Sequence, residues 1–129
     1  MIGLDTNILV RYLTRDDEPQ WRLAAELIQQ NQPCFIANTV LCELVWVLRG
    51  ASYRFPKDEI IQVLETMLHS DAFEFENRST VDQALQRYKQ GGADFSDYLI
   101  GAVSRQVGCT ETASFDSKLK GEKGFRCLE

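Results

Sequence analysis

Two acidic residues, Asp5 and Asp116, come directly after short segments whose composition predicts buried strands. Asp5 ends the apolar run 1–4, and Asp116 lies just beyond the segment 109–113. Ligands of open parallel α/β sheets bind outside the carboxyl ends of the strands. Asp is also a good N-cap for a following helix. The local sequence therefore leaves two interpretations open for each residue, a helix cap or a ligand for a positive group.

Two further acids stand in predicted helices. Glu43 lies inside the apolar stretch 40–48, too far from the helix start for a capping box. It is either an exposed stripe on this helix or a functional carboxylate, because burying an unpaired carboxylate is costly. Asp94 and Asp97 are three residues apart before another apolar run, where Asp94 suits the N-cap and Asp97 the first helical turn.

The four acids Asp5, Glu43, Asp97 and Asp116 can converge at one edge of a parallel sheet. Converging carboxylates repel one another, by about 4 kcal/mol per pair at 4 Å and an effective dielectric of 20, so such a cluster favours a bound cation. Hard oxygen ligands suit Mg²⁺ or Mn²⁺. A metal-activated water could then attack a phosphodiester in line. The chain contains a single histidine, His69, with no ligand-spaced partner, so neither a Cys/His nucleophile nor a zinc site is indicated.

Composition predicts one soluble, cytoplasmic domain over residues 1–129, because no run of 18 apolar residues and no secretory signal is present. Net charge is −5, from 19 acids and 14 bases, which disfavours nucleic-acid binding through bulk positive charge but permits it through metal ions. The four widely spaced cysteines are predicted to be reduced thiols: Cys34, Cys42, Cys109 and Cys127.

Strand-like and helix-like segments alternate along the chain, which predicts an α/β fold with about five parallel strands and helices on both faces. Predicted strands lie near residues 1–4, 34–37, 73–75, 109–113 and 125–128. Thr6 and Asn7, Asn38 and Thr39, and Ser79 are predicted caps of the first, third and fifth helices. A helix beginning at Glu18 and Pro19, one opening at Pro56 and one beginning near Asp94 complete the set.

Four motifs together resemble the PIN domain family, and in overall look the small single-domain toxins of the VapC type. They are Leu4-Asp5-Thr6-Asn7, the mid-helix Glu43, the stretch from Asp94 to Ile100, and Ser114-Phe115-Asp116. The resemblance covers nearly the whole chain. It implies a parallel sheet of order 3-2-1-4-5, a ribonuclease dependent on Mg²⁺ or Mn²⁺, a homodimer, and neutralisation by a small cognate antitoxin protein.

By the same resemblance, the metal ligands and catalytic residues are Asp5, Glu43, Asp97 and Asp116. Thr6, Asn7 and Ser114 would orient these carboxylates, and Asp94 would stand beside Asp97 near a metal-bound water. Ser114 replaces the usual Thr but keeps the hydroxyl. Gly101 replaces a common Ala, which concerns helix packing more than chemistry. Phosphate contacts could come from four arginines: Arg11, Arg15, Arg49 and Arg54.

Three alternatives remain. An RNA-processing PIN nuclease without an antitoxin would carry the same acids. An aspartyl-phosphate phosphotransferase would usually have a second Asp where this chain has Asn7, and a lysine near the last motif, for which Lys118 and Lys120 are the candidates. A non-catalytic PIN-like scaffold would be expected to lack one of the four acids. We further expect an antitoxin to insert a basic side chain beside Asp5 and Asp116, because guanidinium groups pair with carboxylates.

Overall fold

The computed structural model describes all residues from 1 to 129 and contains six α-helices, one 3-10 helix and four three-residue strands. The helices are α1 (Thr6–Thr14), α2 (Glu18–Gln30), α3 (Asn38–Arg49), α4 (Lys57–Leu68), α5 (Arg78–Gln90) and α6 (Phe95–Gln106), with the 3-10 turn at Ser117–Leu119. The strands are β1 (Cys34–Ile36), β2 (Phe73–Phe75), β3 (Thr112–Ser114) and β4 (Phe125–Cys127). The α/β class is confirmed.

The strands form two small parallel pairs. β1 pairs with β2, with Cys34 opposite Phe73, and β3 pairs with β4. The predicted first strand is reduced to one parallel bridge between Gly3 and Phe35, flanked by two backbone hydrogen bonds of 2.7 and 2.9 Å. The local order of this bridge segment, β1 and β2 agrees with the 3-2-1 part of the prediction. A single five-stranded sheet is not confirmed.

The chain divides into two compact units, residues 1–78 and 79–129. The first contains α1 to α4 and the β1–β2 pair, and its fully buried side chains come from every one of these helices: Leu9, Ile28, Leu41, Leu44, Leu48, Ile60, Leu64 and Met67. The second contains nearly all of α5, α6 and the β3–β4 pair. Its largest fully buried side chains are Tyr88, Phe95 and Tyr98, which lie on α5 and α6.

Helix starts agree with the predicted caps in part. Asp17 caps α2 by accepting a 3.0 Å hydrogen bond from the Gln20 amide, as the sequence indicates. α3 already begins at Asn38, whose amide donates to the Glu76 carboxylate at 3.0 Å, so Asn38 is not the cap. α5 begins at Arg78, so the predicted cap at Ser79 is also wrong.

Packing accounts for one glycine that the sequence singled out. A Cβ atom at Gly101 would lie 2.6 Å from Cζ of Phe125, because the Phe125 ring packs directly on α6 at this position. A side chain there would push the ring away. The glycine therefore permits β4 to pack on α6, in agreement with the prediction that this departure concerns helix packing.

All four cysteines are free thiols. No helix of the structure has the length and apolar character needed to cross a membrane.

Candidate active site

Asp5 is the N-cap of α1. Its backbone is extended, with φ −79° and ψ 160°, and its Oδ1 atom accepts a 2.8 Å hydrogen bond from the Thr6 amide. The helix therefore begins at Thr6, and the predicted caps Thr6 and Asn7 lie inside it. The side chain of Asp5 is exposed, and its Oδ2 atom forms no hydrogen bond within the protein.

Thr6 connects this cap to α3. Its hydroxyl donates a 3.0 Å hydrogen bond to Oε1 of Glu43, although the two residues are 37 positions apart in the chain. Thr6 is buried, with 9% of its surface exposed, whereas Glu43 is exposed. Thr6 thus donates to both candidate acids of the first unit, through its amide to Asp5 and through its hydroxyl to Glu43.

Glu43 lies on an exposed stripe of α3, because the residue one turn further on, Trp46, is 79% exposed. The opposite side of the helix is buried through Leu41, Leu44 and Leu48. Glu43 therefore lies on the exposed stripe of an otherwise buried helix. Its carboxylate is held there by the hydroxyl of Thr6.

Asn7 is not brought to either acid. Its side chain is exposed and lines a cavity of about 590 Å³ between α1 and α2, together with Ile8, Arg11 and Leu23. Arg11 itself is in an ion pair with Asp16 at 3.0 Å.

In the second unit, Asp94 and Asp97 share the start of α6. Asp94 is the N-cap residue, and Oδ2 of Asp97 accepts a 3.1 Å hydrogen bond from the Asp94 amide. The sequence predicted Asp94 as the cap, and this is confirmed. Asp97 lies in the first turn, as the spacing predicts, and one of its oxygens turns back to satisfy the amide of Asp94.

Asp116 caps the 3-10 turn that follows β3, accepting a 2.9 Å hydrogen bond from the Lys118 amide. Its own amide donates to the Ser114 hydroxyl at 3.0 Å. Ser114 therefore stabilises the backbone that carries Asp116. The replacement of Thr by Ser preserves this bond because only the hydroxyl is used.

The ammonium group of Lys118 lies 3.7 Å from Oδ2 of Asp94 and 4.0 Å from Oδ2 of Asp116. Burial raises the pKa of Asp97 above its ordinary value, and the negative charges of Asp94 and Asp116 raise it further, while Lys118 lowers it. These shifts show that Asp97 lies within electrostatic range of both other acids. From the sequence, Lys118 was a candidate only in the phosphotransferase alternative, and its position beside Asp94 and Asp116 was not predicted.

A buried hydrogen-bond network, also missed by the sequence, holds the start of α6. The Tyr98 hydroxyl donates to Glu122 at 2.5 Å and accepts from the amide of Ala93 at 3.3 Å. Arg87 pairs with the same Glu122 at 3.2 Å. Tyr98 follows Asp97 directly, and Glu122 follows the 3-10 turn that Asp116 caps. The network therefore fixes the two acid-bearing segments of this unit with respect to each other.

The donor set has the chemistry that a hard divalent cation requires. In the first unit, Asp5 and Glu43 each use one carboxylate oxygen in a hydrogen bond and keep the other outside it. In the second unit, Asp97 does the same, whereas Asp116 uses Oδ1 as a cap and its Oδ2 lies 4.0 Å from the Lys118 ammonium. Asp97, which two other carboxylates disfavour as an anion, would be stabilised in its charged form by a cation. The structure contains no group of three or more acidic, cysteine or histidine side chains arranged to hold a metal ion.

Comparison with known proteins places these residues in context. The family model described as the PIN domain matches residues 2–121, which is nearly the whole chain. A protein named VapC ribonuclease from Aquifex aeolicus (strain VF5) is 28% identical over 128 residues, an alignment that covers 97% of this chain and 93% of that protein.

Proposed function

Because the chain belongs to the PIN domain family, we propose that it is a divalent-metal-dependent endoribonuclease, and that it is the toxin of a toxin–antitoxin pair. Similarity to a VapC ribonuclease along almost the full length of both chains supports the ribonuclease activity and the toxin assignment. The observation that carries the proposal is that Asp5, Glu43 and Asp97 each keep one carboxylate oxygen outside their hydrogen bonds. The second oxygen of Asp116 is engaged only by the Lys118 ammonium at 4.0 Å.

We propose Asp5, Glu43, Asp97 and Asp116 as the residues that hold Mg²⁺ or Mn²⁺. The metal would supply Lewis-acid stabilisation of the phosphate and lower the pKa of a water nucleophile. Thr6 orients Asp5 and Glu43 by donating to both, and Ser114 holds the backbone of Asp116. Asp94 is the N-cap residue of α6, and its Oδ2 atom lies 3.7 Å from the Lys118 ammonium. Its role is therefore to position Asp97 and to balance the charge of Lys118.

Two partners belong to the same proposal. A small antitoxin would insert a basic side chain beside the acids, and the cavity of about 590 Å³ between α1 and α2 offers apolar surface next to Asn7 for the rest of its chain. A homodimer would cover exposed apolar side chains such as Trp46, which is 79% exposed. Large exposed apolar patches mark sites of protein–protein interaction.

The test is an Asp5→Asn substitution. Asn keeps the side-chain oxygen that accepts from the Thr6 amide and is as good a cap as Asp, so stability without metal is expected to change little. Its lost charge should abolish metal-dependent cleavage of RNA. A matched control is Asp17→Asn, which makes the same change at the N-cap of α2.

The readouts are RNA cleavage and the metal-induced change in Tm. A metal at 100 times its Kd stabilises the native chain by about 2.7 kcal/mol, and a tenfold loss of affinity reduces this to about 1.4 kcal/mol. Wild type and Asp17→Asn should show the full gain, and Asp5→Asn half of it or less. If Mg²⁺ and Mn²⁺ leave the wild-type Tm unchanged, or if Asp5→Asn cleaves RNA normally, the proposal is wrong.

A further inference from the structure

A cavity lies beside the C-terminal half of α6, within residues 79–129. It has a volume of about 360 Å³ and is bordered by α5, by α6 and by the starts of β3 and β4. A second cavity of about 260 Å³ adjoins it and shares the lining residues Gln83, Ala102 and Arg105. Together they form a groove, which we call the α5–α6 groove.

Cations outnumber carboxylates in this groove. The first cavity is lined by Arg87, Arg105 and Lys123, with Glu111 as its acid. Glu111 is neutralised by an ion pair with Arg126, and Arg87 is neutralised by Glu122 at 3.2 Å. The remaining charges, on Arg105 and Lys123, are both positive and have no counter-charge.

This lack of partners is unusual in the chain. Of its 14 basic residues, nine form an ion pair or a hydrogen bond through their side chains, and three more, Arg49, Lys57 and Lys89, are not without a partner. The two exceptions are Arg105 and Lys123, and both line the same cavity. The helix dipole favours a cation in the last turn of α6, which accounts for Arg105. It does not account for Lys123, which precedes β4 in a separate loop.

We propose that the α5–α6 groove binds phosphate groups of the RNA backbone and holds the strand at a second point away from the acids. The inference rests on the proposed ribonuclease function and deepens it. Guanidinium groups bind phosphate oxygens bidentately, and an ammonium binds them as a point charge. The exposed hydroxyl of Thr110, which lines the same cavity, supplies a further donor.

The position of the groove suits an extended strand. Arg105 is eight residues beyond Asp97 on α6, so the two are about 12 Å apart along the helix axis at 1.5 Å per residue. One helix thus carries an acid of the proposed cleavage site at its start and a phosphate-binding cation at its end. In a chain with a net charge of −5, such a local cationic groove would offset the repulsion between RNA and the protein.

The experiment measures binding of a labelled single-stranded RNA in EDTA, so that metal and cleavage play no part. The site variant is Arg105→Gln/Lys123→Gln. The matched control is Arg22→Gln/Lys120→Gln, which also removes one arginine and one lysine but takes both from exposed ion pairs, with Glu18 and Glu129. The dissociation constant of each protein is measured between 50 and 200 mM salt.

Each phosphate contact on a single strand contributes about 0.7 to the slope of log K against log salt. Loss of two contacts should lower the slope by about 1.4, which is about a sevenfold smaller loss of affinity over this fourfold salt range. The control should retain the wild-type slope within about half a contact. Equal slopes for the site variant and the control would overturn the inference.

A second arm separates backbone phosphates from free phosphate. Inorganic phosphate at millimolar concentration should compete weakly with the RNA, because a strand makes several contacts at once. Full displacement of RNA by inorganic phosphate at equal phosphate concentration would assign the groove to a small anion and overturn the inference. Failure of the ribonuclease proposal is distinguished by Asp5→Asn: normal cleavage by that variant defeats the acid site and leaves the binding result intact.

Discussion

The Tyr98 hydroxyl joins the start of α6 to Glu122, and its removal tests how much this network stabilises the second unit. Tyr98 is 1% exposed, and its hydroxyl joins Glu122, at 2.5 Å, to the amide of Ala93, at 3.3 Å. Burial and the bond to Glu122 both raise the pKa of Tyr98. The substitution Tyr98→Phe removes this hydroxyl and changes nothing else in the side chain.

Two contributions set the size of the effect. The bond to the charged Glu122 is worth about 1.5–3 kcal/mol, and the Ala93 amide, left without an acceptor in a buried position, costs about 1–3 kcal/mol. Glu122 itself keeps Arg87 as its partner and is 24% exposed, so little is added for its charge. We therefore expect a loss of about 3 kcal/mol, a large part of the 5–15 kcal/mol of a typical domain.

The measurement is urea unfolding followed by circular dichroism, with the free energy extrapolated to water. Tyr12→Phe is the control, because the Tyr12 ring packs edge-on against Phe73 and its hydroxyl forms no hydrogen bond. Its cost should stay within about 0.5 kcal/mol. If Tyr98→Phe costs less than about 1 kcal/mol, or no more than the control, the hydroxyl does not carry the network.

Two other predictions concern acids. Hydrogen bonds from Tyr53 and Thr14 lower the pKa of Asp16 from 3.8 to about 2, so its stabilising effect is complete above pH 4 and is lost as pH falls through about 2. The Tm difference between wild type and Asp16→Asn should therefore shrink between pH 5 and pH 2, and a constant difference would contradict the pKa assignment. Asp97→Ala should abolish metal-dependent RNA cleavage, whereas Asp94→Ala should lose about 1 kcal/mol of stability as a cap and retain measurable cleavage. An inactive Asp94→Ala beside an active Asp97→Ala would exchange their roles.

The sequence predicted helices well where their ends depend on neighbours in the chain. α2 begins at Glu18, as the local pattern predicts, with Asp17 as its cap. The start of α3 was misplaced because the Asn38 amide is satisfied by Glu76, 38 residues away. No local pattern reveals an acceptor at that distance, so the helix begins at Asn38 itself, the residue that seemed to be its cap.

The strands were less predictable because they are only three residues long. Gly3 contributes a single bridge to Phe35 where a full strand was expected. For such short segments, the pairing is decided by packing against helices rather than by β-propensity. The number and approximate positions of the segments were right, but their joining into one sheet was not confirmed.

The candidate acids were recognisable because each is a carboxylate in a place where apolar packing predominates. The residues that contact these acids were harder to predict from the sequence. Lys118 came close to Asp94 only through the fold, and the pair of Tyr98 and Glu122 spans 24 positions. The resemblance implied an orienting role for Thr6, and no local pattern indicated its hydrogen bond to Glu43, 37 positions away.

Three of the acids both cap a helical segment and belong to the proposed active site, which has a consequence for interpreting related sequences. Asp5, Asp94 and Asp116 begin helical segments, and folding alone favours Asp, Asn or Ser at such positions. A descendant that had lost its activity could therefore keep these three residues unchanged. Glu43 caps nothing and lies exposed in the middle of α3. Its one structural contact is the hydrogen bond from the Thr6 hydroxyl, so folding constrains it less than it constrains the three caps. Among relatives of this chain, loss of the acid at position 43 is therefore the change that would best indicate loss of the proposed nuclease activity.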